Sequence, residues 1–108
     1  MTEAYDRARL AELFGDDPGV LAEVERDFLD TARGAEREML GTDDLGAIAR
    51  AAHRLKGASG MIGATRLGRI AAAVECAAVA CDLPGVRRLH DRISLEVQRV
   101  ADQVRALS

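Results

Sequence analysis

The sequence predicts an all-α protein: an antiparallel four-helix bundle with a short additional helix at its N-terminus. Three observations carry this. Ala, Leu, Val, Glu and Arg dominate a chain of 108 residues whose aromatics are reduced to Tyr5, Phe14 and Phe28, a composition suited to helices packed closely through small side chains. Apolar residues recur at spacings of three and four along most of the chain, the period of a helix with one buried face. No segment alternates with period two over a useful length, so no strand is expected.

The elements follow in order. A short helix is expected from about Asp6 to Phe14, ending at Gly15. Asp17-Pro18 opens the second, because the N–H that proline lacks has no partner in a first turn. Its apolar stripe is Leu21, Val24, Phe28, Ala32, Ala35 and Met39, and Gly41 closes it. The third begins near Thr42 to Asp44 and runs to about Ile62, closed by Gly63. The fourth runs from about Thr65 to Cys81, with Leu67, Ile70, Ala71, Val74 and Ala78 on one face. Asp82-Leu83-Pro84-Gly85 is the next break, with Pro84 marking a new start. The fifth carries Val86, Leu89, Ile93, Val97, Val100, Val104 and Leu107. Four long amphipathic helices with short connections pack most economically as an up-and-down bundle, capped at one end by the short first helix. No linker or low-complexity segment marks a second domain, so residues 1–108 read as one unit, with the short helix at about 6–14 and the bundle at about 17–107.

Composition narrows the function. At 48% apolar residues the chain has enough material for a core. A net charge of −3 argues against a general nucleic-acid binder. There is no apolar run long enough to span a bilayer and no signal-peptide pattern at Met1 to Asp6; a cytoplasmic protein is expected. Cys76 and Cys81, five apart, suit neither a common zinc spacing nor a disulfide within one helix, and are expected to be small buried or half-buried residues. Two distant histidines and two cysteines make no recognisable metal set, so no metal site is expected. His90, between Arg88 and Asp91, reads as structural or solvated.

The chemistry concentrates in Ala52-His53-Arg54-Leu55-Lys56-Gly57-Ala58-Ser59-Gly60. On a helical wheel at about 100° per residue, Ile48, Ala51, Leu55, Ser59 and Ile62 cluster opposite His53 and form a core face. Ser59 is expected to be a small packing residue with room to back-bond to its own helix. The face of His53 holds Gly46, Ala49, Arg50, Lys56, Gly57 and Gly60. Each glycine in a helix interior costs roughly 1 kcal/mol relative to alanine, so three on one outer face imply that something bulky must come close. Lys56 follows His53 by three residues, where side chains are neighbours, and it is the only lysine beside 14 arginines. Residues 45–74 hold Arg50, Arg54, Lys56, Arg66 and Arg69 and no acid. An exposed neutral imidazole is a nucleophile, and a flexible cation beside it suits a transferring phosphoryl group, whose charge spreads over its oxygens.

This stretch resembles the signature of the histidine phosphotransfer (HPt) family, A-H-x-L-K-G-x-S/A-x-x-x-G-A. Ala52-His53, Leu55-Lys56-Gly57, Ser59 and Gly63-Ala64 match it, and the likeness continues through Leu67 and Val74-Glu75, about 24 residues in all. The resemblance implies a four-helix bundle with the phosphorylated histidine exposed midway along one helix. It implies that His53 is the phosphoacceptor, that Lys56 assists the phosphoryl group or its approach, and that Gly57 gives a close contact surface. Glu75 stands where family members carry Gln or Glu that orients the histidine ring; a solvated helix carboxylate is the other reading. Arg54 and Gly60 belong to the same partner-facing set. The implied partners are receiver domains of response regulators or hybrid histidine kinases. They carry the aspartyl phosphate, the Mg²⁺ and most of the catalytic machinery, so this chain is expected to need no cofactor and to be a carrier rather than an enzyme. The expected role is to shuttle phosphoryl groups between receivers as a diffusible monomer. Partner preference is expected from Arg50, Arg54, Met61 and the first helix with Leu10, Leu13 and Phe14.

Two other readings compete. A sensor-kinase dimerisation domain also presents a helical histidine, but an acidic residue habitually follows it there, and Arg54 follows here. A structural or adaptor bundle that binds signalling partners without phosphotransfer would leave the glycine face and the single lysine without a reason.

Overall fold

The computed structural model describes residues 3–107, with the side chain of Leu107 outside the description along with Met1, Thr2 and Ser108. The described residues contain helices and no strand: α1 (Arg7–Phe14), α2 (Pro18–Leu40), α3 (Leu45–Met61), α4 (Thr65–Val79), α5 (Leu83–Arg88) and α6 (His90–Leu107). Aspartates start four of them. Asp6, Asp17, Asp44 and Asp82 each sit just before a first turn and accept a backbone N–H from it, which satisfies a donor that has no partner inside the helix.

Two helix ends set the corners next to the site. After α3 the chain turns through Gly63 at φ +70°, and Ala64 N–H donates back to Ser59 C=O at 2.9 Å. This is a Schellman stop, which needs a left-handed residue. Here it needs glycine for a second reason, because a Cβ would lie 2.7 Å from that of Asp6. After α4 the same motif is made by Cys81 at φ +58°, with Asp82 N–H donating to Ala77 C=O and Cys81 N–H to Ala78 C=O. A side chain in that conformation is disfavoured by roughly 1–2 kcal/mol. Cys81→Gly is therefore expected to raise stability by about 0.5–1 kcal/mol. Urea denaturation measures this, and a lower midpoint with unchanged slope would contradict it.

α2, α3, α4 and α6 form a closed ring: α3 packs between α2 and α4, and α6 completes the circuit between α4 and α2. The bundle is 43 Å long and about 22 Å across. Its core is aliphatic, with Phe28, Met39, Ile48, Leu55, Leu67, Val74, Ile93 and Val100 all buried. α3 and α4 make the most extensive pair, because small residues line their contact: a Cβ on Gly68 would stand 3.4 Å from that of Ser59.

Three expectations are corrected. The fifth helix is two: α5 starts at Leu83, inside the expected break, and Leu89 separates it from α6. Leu89 N–H donates to Val86 C=O, three residues back, and this tighter turn ends α5, which packs on α4 before the chain joins the ring as α6. Both cysteines are exposed: Cys76 lies on the outer side of α4, and Cys81 lies in the turn. Ser59 is buried as expected, but its hydroxyl has no hydrogen-bond partner, so it does not back-bond.

The N-terminal segment is tied down by polar groups that period alone did not reveal. The Gln103 side chain on α6 accepts from Ala4 N–H and donates to Tyr5 C=O. Tyr5 is buried, and its hydroxyl donates to the buried carboxylate of Glu25, which Arg7 also faces at 3.4 Å. Burial and the Glu25 carboxylate push the Tyr5 hydroxyl far above its ordinary range, so it remains a donor. Asp6 N–H donates to Ile62 C=O at 2.9 Å, which fixes the start of α1 against the end of α3.

Candidate functional site

α3 is two-faced, as the wheel predicts. Ile48, Ala51, Leu55, Ser59 and Ile62 are buried. Gly46, Arg50, His53, Lys56, Gly57 and Gly60 are exposed, and Ala49 is half-buried. The His53 side chain is 67% exposed. A Cβ built on Gly57 or Gly60 meets no atom within 4 Å. These glycines serve no internal packing, and the surface beside His53 is a low shelf.

Glu75 comes to this site from α4. Its carboxylate holds two of the expected site residues on α3: Oε2 lies 2.8 Å from His53 Nδ1 and Oε1 accepts from Lys56 Nζ at 3.1 Å. The hydrogen bond from Lys56 is the main cause that lowers the Glu75 carboxyl below its ordinary 4.5, and the bond to His53 adds to it. A depressed carboxylate is ionised in the folded state at neutral pH. Its pairing stabilises the fold above about 4.5 and is lost as pH falls through the lower folded value.

An ionised carboxylate can only accept, so the proton between His53 and Glu75 resides on Nδ1. In a neutral ring this leaves the lone pair on Nε2. No described residue hydrogen-bonds Nε2. The arrangement thus holds one nitrogen and presents the other, as a nucleophile, to solvent.

Other expected residues fall elsewhere. Arg54 turns away from His53 toward α2, where it pairs with Glu38. Met61, Leu13 and Phe14 are exposed as expected of docking residues, but Leu10 is fully buried and is a core residue. Leu10 belongs to the face of α1 that covers the end of the bundle, one turn before Phe14. The acid-free stretch 45–74 is not an acid-free region in space, because Glu38 and Glu75 reach its cations from neighbouring helices. His90 is half-buried with its Nε2 enclosed and unpartnered, consistent with a structural residue.

No group of three or more potential metal ligands occurs among the described residues. None of the described helices is long and apolar enough to cross a membrane. The family model of the Hpt domain matches residues 9–106, nearly the whole chain. The chain belongs to the Hpt domain family, whose members carry phosphoryl groups on histidine in phosphorelays and interact with receiver domains of two-component systems. The comparisons with curated proteins and with solved structures found no match.

Proposed function

We propose that this protein accepts a phosphoryl group on His53 Nε2 from the aspartyl phosphate of a receiver domain, or of a hybrid kinase, and passes it to the aspartate of a response regulator. The observation that carries this is the His53 Nδ1–Glu75 contact at 2.8 Å, which reserves Nε2 for attack on an open face. The Nε2 lone pair forms a bond to phosphorus as the bond from phosphorus to the aspartyl oxygen breaks, and that oxygen leaves with the electron pair. The Nδ1 proton stays in place, so the ring becomes cationic next to the Glu75 carboxylate. The reverse step restores a neutral ring.

The chain works here as a carrier without a cofactor of its own, since the receiver brings the Mg²⁺. Lys56 supplies a point charge to the phosphoryl oxygens, and Gly57 and Gly60 admit the receiver's loop. Arg50, Met61, Leu13 and Phe14 form the exposed set that selects the partner. Arg54 contributes through its pair with Glu38, which leaves its remaining N–H groups for a docked partner. A receiver docked on this face requires that no second copy cover it, in keeping with the monomer that the family resemblance implies.

Transfer of labelled phosphoryl from a phosphorylated receiver to the protein and to its His53→Gln variant tests the reading. Acid-labile, base-stable label on the unaltered protein alone supports it. Label on neither, across a panel of receivers, would leave an adaptor bundle as the function. Equal label on both would move the chemistry to another residue.

The shelf makes a separate prediction. Gly57→Ala and Gly60→Ala should each stabilise the helix by about 0.5–1 kcal/mol, since the new methyl meets open space and the unfolded chain loses freedom. Both should slow transfer from a receiver while leaving phosphorylation by phosphoramidate, a small donor, unchanged. Equal effects on the two donors would show that the glycines are not there for the partner.

A further inference from the structure

We propose that Glu75 holds Lys56 in reserve and releases it when His53 is phosphorylated, exchanging one cation for another on the same carboxylate. The inference rests on the phosphoacceptor role of His53 and concerns the regulation of that site.

The geometry is a carboxylate with one oxygen on each partner, 2.8 Å from His53 Nδ1 and 3.1 Å from Lys56 Nζ. In the neutral form of the ring that attack from Nε2 requires, Lys56 is the cation that balances Glu75. A lysine so held is not free at the open side of the ring, where a phosphoryl group on Nε2 would stand. Bond formation at Nε2 changes the balance. The ring acquires a positive charge with its proton still on Nδ1, so Glu75 gains a cationic partner it did not have. The phosphoryl group brings about two negative charges. Lys56 now has a stronger acceptor on one side and a carboxylate already neutralised on the other.

Lysine suits this exchange and arginine does not. Its ammonium is a point charge on a four-carbon stem, free to swing between acceptors, whereas a guanidinium fork locks onto one carboxylate. Lys56 is 44% exposed, and a Cβ built on Gly57 or Gly60 meets open space, so the surface beside the site leaves room for the swing. This supplies a reason for the single lysine in an arginine-rich chain. The exchange has a functional consequence. Glu75 then acts on the phosphorylated state in two opposed ways: it holds the cationic ring through Nδ1, and it competes with the phosphoryl group for Lys56, which limits how tightly His53 keeps that group.

Because Lys56 is the only lysine, its side-chain ammonium and Cε signals are unambiguous in NMR. The experiment compares these signals in the full chain before and after treatment with phosphoramidate, alongside His53→Gln and Glu75→Gln. The phosphorus spectrum reports whether His53 is phosphorylated. The expected result is a shift of the Lys56 signals on phosphorylation of the unaltered protein and none in His53→Gln. Glu75→Gln, whose amide oxygen still accepts from Nδ1, should show Lys56 signals already displaced at rest. Lys56→Met should shift the transfer equilibrium with a receiver roughly tenfold away from His53, through loss of a charge-assisted contact to the phosphoryl group. A phosphohistidine signal with Lys56 resonances unmoved would overturn the exchange while leaving the carrier role standing. Absence of any phosphohistidine signal would overturn both.

Discussion

Replacing Glu75 with leucine is expected to slow phosphoryl uptake by His53 by about 10- to 100-fold with the helical fold intact. A carboxylate that fixes a histidine's tautomer is worth roughly that much where imidazole serves as a metal ligand, and the requirement is the same here: one nitrogen protonated, the other free. Without Glu75, the His53 proton distributes over both nitrogens and the ring rotates on an exposed helix, so fewer molecules present a lone pair at Nε2. Leucine preserves the bulk of a side chain that is 23% exposed, so packing between α3 and α4 should hold. Single-turnover transfer from a phosphorylated receiver measures the effect, with circular dichroism and the thermal midpoint as checks on folding. Glu75→Gln should retain much of the rate, since its amide oxygen accepts the same hydrogen bond. A leucine variant within twofold of the unaltered rate would remove Glu75 from the mechanism and return it to the role of a solvated helix residue.

The second large effect lies on the buried side of α3, the helix that carries His53. Leu55→Ala is expected to cost about 2–5 kcal/mol of stability. Leu55 is fully buried, between the α2 and α4 sides of α3 and among the large side chains of the core. Its truncation leaves a cavity that close-packed neighbours fill only in part. Domains of this kind have about 5–15 kcal/mol in all, so the loss is a large share of the total. Urea unfolding gives the number. A loss under about 1 kcal/mol would mean that α3 is not seated as described. Gly57→Ala, two residues on, is predicted to have the opposite sign. Together the pair tests whether one helix devotes one face to the core and the other to the partner.

Much of this was legible in one sequence because the information is local. Helix starts are written in single residues: an aspartate that caps, then proline or an apolar period. The two-faced character of α3 follows from period alone, as does the prominence of His53 with Gly57, Gly60 and Lys56. The division of the last helix at Leu89 was not legible, since Val86, Leu89 and Ile93 keep a helical period across a turn that changes only its hydrogen bonding. The buried Tyr5–Glu25 pair was equally hidden, because a tyrosine near a terminus and a glutamate on an amphipathic helix read as surface residues until the fold brings them together. The sequence places Leu10 with the docking residues, whereas it is buried, because a short helix shows too few turns to reveal which side it buries.

The sequence by itself determined the fold class, the candidate histidine and the glycine shelf beside it, since each depends on residues within a few turns of one helix. Tertiary structure alone decided which cations are free and which nitrogen is presented. Glu75 lies 22 positions after His53 and Glu38 lies 16 before Arg54, and only the packing of α4 and α2 against α3 turns a stretch with no acid into a site organised around a carboxylate. Hydrogen bonds act over about 3 Å of space whatever the distance along the chain, so the tautomer of His53 and the restraint on Lys56 are properties of the bundle.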